Sequence, residues 1–323
     1  MAEQLAYVGK IIALEPIPEA DRLVSATVVC GAGGKWQGVV AKSDFEVGAL
    51  CEVYLQDALV PATERFAFMA SRKYRVKIAR LRGTLSEALI MPLTVDGVVG
   101  DDITVRMRVE KYERQSEGKQ AEAKGDFPPF LYKTDEPNVQ KSQAMVEALT
   151  GQPYTITLKM DGSSLAAYRY NGVFGVCSRR LEVERGDNAF WRAVDAAGIE
   201  AGLPDGFAIQ AEVCGPKIQG NPMEFDQPTL FIFQVFDIAA GTFLGFEAAK
   251  QFCEAYLPQA KRVRLLECGD SYTHGSWDER FAWLVREIPY PVEGVVVRPM
   301  AEMRVRGERL SFKVINPDYK EAK

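Results

Sequence analysis

Apolar and polar residues alternate through the first third of the chain. Short runs at 5–14, 23–30, 36–41, 49–55, 74–81 and 87–93 repeat with a period near two, and turn residues separate them. No long helical period interrupts the series. Five or six short strands in about 100 residues predict a small β-barrel over residues 1–105, with an OB-fold as one candidate. The pattern then breaks. The stretch EKYERQSEGKQAEAKGD (110–126) has almost no apolar residue and cannot enter a core, so 106–126 reads as a charged linker or an exposed helix.

Ordered sequence restarts at FPPFLYKTDEPNVQ (127–140), where Thr134 or Asp135 could cap a helix that has Pro137 near its first position. From 152 onward strand-like runs alternate with helical ones near 188–201, 247–257 and 277–287. Residues 127–323 therefore form a second, α+β domain with substantial antiparallel pairing. A length of 323 residues suits two such bodies.

Composition narrows the chemistry. A net charge of -5 leaves no global footprint for nucleic acid, so any such surface is local. The densest positive stripe is SRKYRVKIARLRG (71–83), in which Lys73, Arg75 and Lys77 alternate with Tyr74, Val76 and Ile78, and Arg80 and Arg82 follow. One basic strand face of this kind suits backbone phosphates, and a charged edge strand protected from aggregation would show the same pattern. Six separated cysteines with no Cys-x-x-Cys pair argue against zinc ribbons and thioredoxin-like chemistry and for buried, reduced thiols. The single histidine, His274, lies in the loop-like SYTHGS and gives triads or zinc sites little material. Catalysis by this chain would have to use lysine, carboxylates and a bound metal. MAEQLAYVGK has no basic region followed by an apolar run, and no stretch reaches 18 uncharged apolar residues, so a cytoplasmic protein with no membrane association and no obligate protein partner is expected.

Candidate chemistry starts at TITLKMDGSSLAAYRYNG (155–172). Tyr154, Ile156 and Leu158 alternate with Thr155, Thr157 and Lys159, which puts Lys159 on the polar face at a strand end. Asp161-Gly162 supplies a turn, and Asn171-Gly172 marks a hairpin after the next strand. Five further places carry notable residues on strand patterns. Arg179 in VCSRRLE could hold phosphate or ribose oxygens, or simply end a strand. Glu212 in FAIQAEVCGP could accept ribose hydroxyls, or sit at an exposed hairpin end. Phe236 in LFIFQVFDI is either core or a base-stacking platform. Glu293 directly precedes a valine run and needs a partner there, for which a divalent metal is a good candidate. Lys313 in RLSFKVINPDYK repeats the alternation seen at Lys159. Together these positions suggest a cleft that handles phosphates with metal assistance.

The ordered series KMDG (159–162), SRR (178–180), AEVCG (211–215), FQVFDI (233–238), VEGVVVRP (292–299) and SFKV (311–314) resembles the covalent nucleotidyltransferases, which comprise ATP-dependent polynucleotide ligases and mRNA capping enzymes. The resemblance spans about 127–323. Within that superfamily the second domain looks most like the RNA ligases, and an OB-like module ahead of a catalytic domain that ends just after the last motif is similar to the family-five RNA ligases.

The resemblance implies an adenylyltransferase fold of antiparallel sheets and flanking helices, with ATP and Mg²⁺ or Mn²⁺ as cofactors. The substrate would be RNA with 3′-hydroxyl and 5′-phosphate ends. By the same resemblance Lys159 would carry AMP covalently and Lys313 would contact the α-phosphate. Arg179 and Glu212 would hold ribose or phosphate, Phe236 would stack on adenine, Glu293 would bind the metal, and Asp161 would organise the nucleophile or the end being joined. Lys73, Arg75, Lys77, Arg80 and Arg82 would hold flanking RNA. Ser311 stands where many ligases have another lysine. DNA ligation, GTP-dependent capping and a non-catalytic nucleic-acid-binding role are the alternatives.

Overall fold

A computed structural model describes residues 4–18, 20–31, 34–112, 121–133 and 135–319. They divide into two compact units, the first holding the described residues up to Tyr112 together with Gln140–Gln143, and the second most of the remainder.

In the first unit β1 (Ala6–Pro16), β2 (Leu23–Cys30), β3 (Gly34–Ala41) and β4 (Leu50–Tyr54) follow the alternation closely. Four short strands complete the first series: β5 (Ala58–Leu59), β6 (Ala79–Leu81), β7 (Thr84–Ser86) and β8 (Leu89–Pro92). The main sheet has the antiparallel order β3-β2-β1-β4-β8 and is apolar on the side that carries Ile11, Val28, Trp36, Val53 and Ile90. A second apolar cluster of Leu5, Val8, Phe66, Met69 and Ile103 packs beyond it.

The expected strand at 74–81 does not form. A 3₁₀ helix, Glu64–Arg72, ends with Lys73 and Tyr74 both in the left-handed region, at φ 51° and 60°. That geometry ends any two-residue alternation across these positions, and β6 begins only at Ala79. Both ends of the 106–126 stretch are tied into sheets. β9 (Glu110–Lys111) pairs with β5, and β10 (Ala123–Asp126) pairs with a strand of the second unit. Residues 113–120 of that stretch lie outside the described residues.

In the second unit α1 (Gln143–Leu149) precedes β11 (Tyr154–Lys159), β12 (Ser163–Tyr170), β13 (Val173–Cys177) and β14 (Leu181–Val183). Then come α2 (Ala189–Ala196), α3 (Ile199–Gly202), β15 (Phe207–Cys214), β16 (Thr229–Asp237), β17 (Thr242–Phe243) and α4 (Phe246–Tyr256). The series ends with β18 (Lys261–Arg262), β19 (Leu265–Gly269), α5 (Trp277–Val285), β20 (Gly294–Pro299), β21 (Arg304–Val305), β22 (Glu308–Arg309) and β23 (Phe312–Ile315).

The helical run at 188–201 becomes two helices. Asn188 caps the first by accepting from the Trp191 amide at 3.1 Å, and Gly198, at φ 65°, breaks the run before the second. The expected cap at 134–135 starts no helix. Thr134 lies outside the described residues, Asp135 to Pro137 belong to no helix or strand, and helical turns begin only at Val139. Pro137 disfavours helical backbone at the residue before it, Glu136.

Two sheets position the site. The larger runs β10-β14-β13-β12-β15-β16-β17, with β18 parallel to β16, and the smaller runs β19-β11-β20-β23. One face of the larger sheet is sealed by α2, α3 and α4 through Leu165, Trp191, Val194, Ile209, Val235 and Phe252. The smaller sheet packs Ile156, Leu158, Val295, Val297 and Phe312 against α1 and α5. Each sheet thus has one face filled with apolar contacts and one that carries polar side chains. Alternation along the strands puts Glu212 and Gln210 on the latter face of β15, and Thr157, Lys159 and Lys313 on that of the smaller sheet.

Candidate active site

Lys159 closes β11 opposite Gly294, and Lys313 on β23 pairs with Val296, which itself pairs with Thr157. Directly paired residues share a face, so both lysines emerge from the same side of the smaller sheet. Thr155 and Thr157, the polar neighbours of Lys159, are buried rather than solvated. The turn after Lys159 is held tightly against β15. A Cβ on Gly162 would lie 2.3 Å from the Val213 carbonyl oxygen and 3.0 Å from Cγ of Glu212, so only glycine fits there.

Each cation of this face has an acidic partner. Lys159 Nζ lies 2.5 Å from Glu293 Oε2, both side chains being partly exposed. Arg179 and Lys313 share one carboxylate, that of Asp135, at 2.6 and 3.7 Å. Arg298 pairs with Glu136 at 2.6 Å in a nearly buried contact. Burial disfavours the Lys159 charge, but the carboxylates of Glu293 and Glu212 outweigh it and hold the ammonium above the ordinary lysine range. Glu212 is pushed the other way. Its burial raises it to about 8, with Lys159 opposing and Glu293 adding to the rise. Only a deprotonated lysine can act as a nucleophile.

Asp161 is buried and accepts from the Tyr319 hydroxyl at 2.5 Å. Asn316 fixes the segment around Glu293, with its amide nitrogen bonded to the Glu293 carbonyl at 2.9 Å and its side chain to that of Val292 at 3.0 Å. Residues just beyond the last strand therefore brace both the Asp161 turn and the Glu293 loop.

Residues 152–315, just over half of the chain, match the RNA ligase family model. The chain belongs to the RNA ligase family. Residues 5–93 match an OB-fold domain, so the ligase has an N-terminal OB-fold followed by an α+β nucleotidyltransferase unit, as expected from its strand pattern and motifs. Among solved structures the ligase is similar to Naegleria gruberi RNA ligase with PPi, at TM-score 0.81 and 25% identity over 98% of this chain and 97% of that one. A mutant of the same enzyme with AMP and Mn matches at TM-score 0.81 and 25% identity over 97% of each chain. A mutant with ATP and Mn matches at TM-score 0.78 and 25% identity over 98% of this chain and 96% of that one. No curated protein matches the sequence.

The ligase brings Lys159, Asp161, Glu212, Glu293 and Lys313 into one polar region, with Arg179 linked to it through Asp135. Phe236 is in the same unit but buried, packed against Phe243 at 4.9 Å between ring centroids and clustered with Ala166, Tyr168 and Ala208. Ser311 places a buried hydroxyl, not a cation, two residues before Lys313. Among the described residues no three His, Cys, Asp or Glu side chains converge as a ready-made metal cage.

The basic stripe of the OB unit is not one face. Arg75 is buried, bonded to Asp57 at 2.7 and 2.9 Å and stacked 3.9 Å from the Tyr112 ring centroid, which withdraws it from any RNA surface. Lys73, Lys77 and Arg82 are exposed, and Arg80 is half-buried.

Sequence reasoning passed over Asp135, Glu136, Arg298 and Tyr319. Asp135 and Glu136 sit in the 127–140 stretch, which drew attention as a helix start and as similar to the lead-in segment of RNA ligase catalytic domains, and Arg298 sits in a motif read for Glu293. Tyr319 carried only a weak signal, an aromatic in a polar tail.

Proposed function

We propose that the chain seals RNA 3′-hydroxyl and 5′-phosphate ends with ATP, through a lysyl-AMP intermediate, in RNA repair. The observation that carries this reading is the shared face of Lys159 and Lys313, with the Asp135 carboxylate held between Lys313 and Arg179. A carboxylate bridging two cations occupies the kind of place a phosphate takes, so the site suits a nucleotide phosphate. The Naegleria gruberi ligase structures with ATP, AMP, PPi and Mn support ATP and a divalent cation as its cofactors.

In this reading Lys159 Nζ, after losing its proton, attacks the α-phosphorus of ATP; the P–N bond forms as the bond to pyrophosphate breaks. An oxygen of the RNA 5′-phosphate then attacks the AMP phosphorus as the P–N bond to Lys159 breaks, and the 3′-hydroxyl, losing its proton, attacks the RNA 5′-phosphorus as the bond to AMP breaks, closing the phosphodiester. Lys313 and Arg179 neutralise charge on the transferring phosphoryl group in each step. Glu212 holds ribose hydroxyls, Phe236 borders the base, and Asp161, steadied by Tyr319, positions the reacting end. Glu293 would hold the divalent cation, whose other positions waters and substrate oxygens would fill. When bound, that cation supplies positive charge that lowers the proton affinity of Lys159 and offsets the phosphate charge.

Lys73, Lys77, Arg80 and Arg82 would contact flanking RNA phosphates, with binding that weakens as salt rises. Six free cysteines, five of them buried, suit a reducing compartment such as the cytoplasm. Among the described residues no helix is long and apolar enough to cross a membrane.

The test is sealing of a 5′-phosphate nick in duplex RNA with ATP and Mn²⁺, compared with an all-DNA nick and with GTP. Faster joining of RNA ends, dependent on ATP, is expected. Equal sealing of the DNA nick, or a requirement for GTP, would overturn the assignment.

A further inference from the structure

Two glutamines remain unexplained by the roles above. Gln210 on β15 and Gln234 on β16 are direct cross-strand partners, 5% and 4% exposed. They share a sheet face with Glu212, and their neighbours along it are Ala166, opposite Gln210 on β12, and Phe236, opposite Ala208. Among the described residues neither Oε1 nor Nε2 of Gln234 has a hydrogen-bond partner, and Oε1 of Gln210 has none either. Burying such atoms unpaired is unfavourable, so each of them calls for a partner.

The orientation of Gln210 is not arbitrary. Its amide nitrogen donates to the backbone carbonyl of Tyr132, in the lead-in segment. A carbonyl can only accept, so Nε2 is committed and Oε1 is turned away from that contact as a fixed acceptor. Gln234 has no such constraint and can offer either its donor or its acceptor. A purine with an amino group at position six presents a donor there, beside ring nitrogens that accept. A six-oxo purine presents an acceptor, which would face the fixed oxygen of Gln210 without a proton between them.

We infer that Gln210 and Gln234 read the six-position edge of the nucleotide base, with Gln210 Oε1 accepting from a six-amino group and Gln234 bonding the adjacent ring nitrogen. The inference rests on the adenylyltransferase reading of the site and adds the residues that choose the base. It makes the Tyr132 carbonyl a positioning group, because it stops the Gln210 amide from rotating to suit the wrong purine. In DNA recognition a single glutamine amide reads two atoms of an adenine edge; here the two contacts are divided between two side chains.

The test measures covalent labelling of the full chain with the α-labelled triphosphates of adenosine, inosine and purine riboside, the last lacking any group at position six. Wild type is compared with Gln210→Met and Gln234→Met, which keep side-chain volume and remove the amide. Wild type should label roughly 100-fold more efficiently with ATP than with inosine triphosphate, because a buried acceptor left facing another acceptor is heavily penalised. Gln210→Met should bring that ratio below about 10-fold, and it should label with ATP and the purine riboside triphosphate equally well. Gln234→Met should weaken both amino and unsubstituted purines while keeping preference at position six. Circular dichroism confirms that each variant is folded; if Gln210→Met is not, Gln210→Glu, which retains an acceptor, should keep the preference for ATP. An unchanged ATP-to-inosine-triphosphate ratio in folded Gln210→Met would overturn the inference and leave the ligase reading standing. Absence of label from every triphosphate in wild type would overturn both.

Discussion

Both units of this ligase bury acids against cations, and they do so in opposite ways. In the OB unit Glu52 is fully buried and saturated. Tyr54 donates to it at 2.6 Å, Thr94 donates through its amide and hydroxyl at 2.9 and 2.6 Å, and Arg65 pairs with it at 2.8 Å. In the nucleotidyltransferase unit Glu293 meets Lys159 through one contact, and each side chain keeps about a quarter of its surface exposed. Asp135 is more exposed still and holds two cations at once. A saturated acid has no capacity left for a ligand, so it can only fix structure. A partly exposed pair with unused lone pairs can exchange its partner for phosphate or metal, and that is what a site of group transfer requires.

The sharpest way to break this contrast is Lys159→Ala. It should reduce ATP-dependent labelling of the protein by more than about 10³-fold while changing stability by only about 1 kcal/mol, since a partly exposed pair contributes little to folding. Labelling assays beside urea melts check both. A stability loss several times larger would make the pair structural and erase the distinction.

The opposite pattern is expected for Glu52→Ala. Removing one member of a buried, fully bonded network leaves Arg65, Tyr54 and Thr94 with unmet polar groups, at a cost of about 3–5 kcal/mol. Melting of the OB unit should fall by more than about 10 °C, with labelling per folded molecule unchanged at low temperature. A shift within a few degrees would contradict the structural role.

Glu212→Gln sharpens the contrast through pH. The folded carboxyl titrates near 8 and the unfolded one near 4.5, so the native state binds the extra proton between those values. Stability contributed by that proton is complete below the unfolded value and lost as pH rises through 8. The variant should therefore gain on wild type from pH 5 to 8, on the order of 2 kcal/mol after allowing for solvent screening, as read from melts across that range. A constant difference would contradict the burial argument.

The smallest effect belongs to Asp135→Asn. Freeing Arg179 and Lys313 from an exposed carboxylate should lower the ATP concentration for half-maximal labelling by about two- to fivefold, the worth of a surface ion pair. A rise instead would mean that Asp135 helps to hold the nucleotide.

Where the candidate site residues lie was partly legible because most of them ride on or beside strands. The period-two alternation at 154–159 and again at 310–315 is enough to put Lys159 and Lys313 on polar faces, and the register through Val296 makes those faces one. The OB-fold was legible for the same reason, from strands that keep their alternation. Arg75 was not, because two left-handed residues in succession reset the chain direction and a partner 18 positions away claims the guanidinium. Alternation says nothing about backbone that leaves the extended region. Asp135 and the glutamine pair were hidden for a different reason. Their significance comes from register and from contacts between distant segments, such as Gln210 with Tyr132, which no local pattern encodes.

Peptide mapping by mass spectrometry tests most directly whether Lys159 is the nucleophile. Wild-type protein incubated with ATP and Mn²⁺, without RNA, is digested and the site of modification located. AMP joined through a phosphoramidate to the peptide that contains Lys159, and nowhere else, is the expected result. No adduct, or an adduct carried by Lys313, would contradict it.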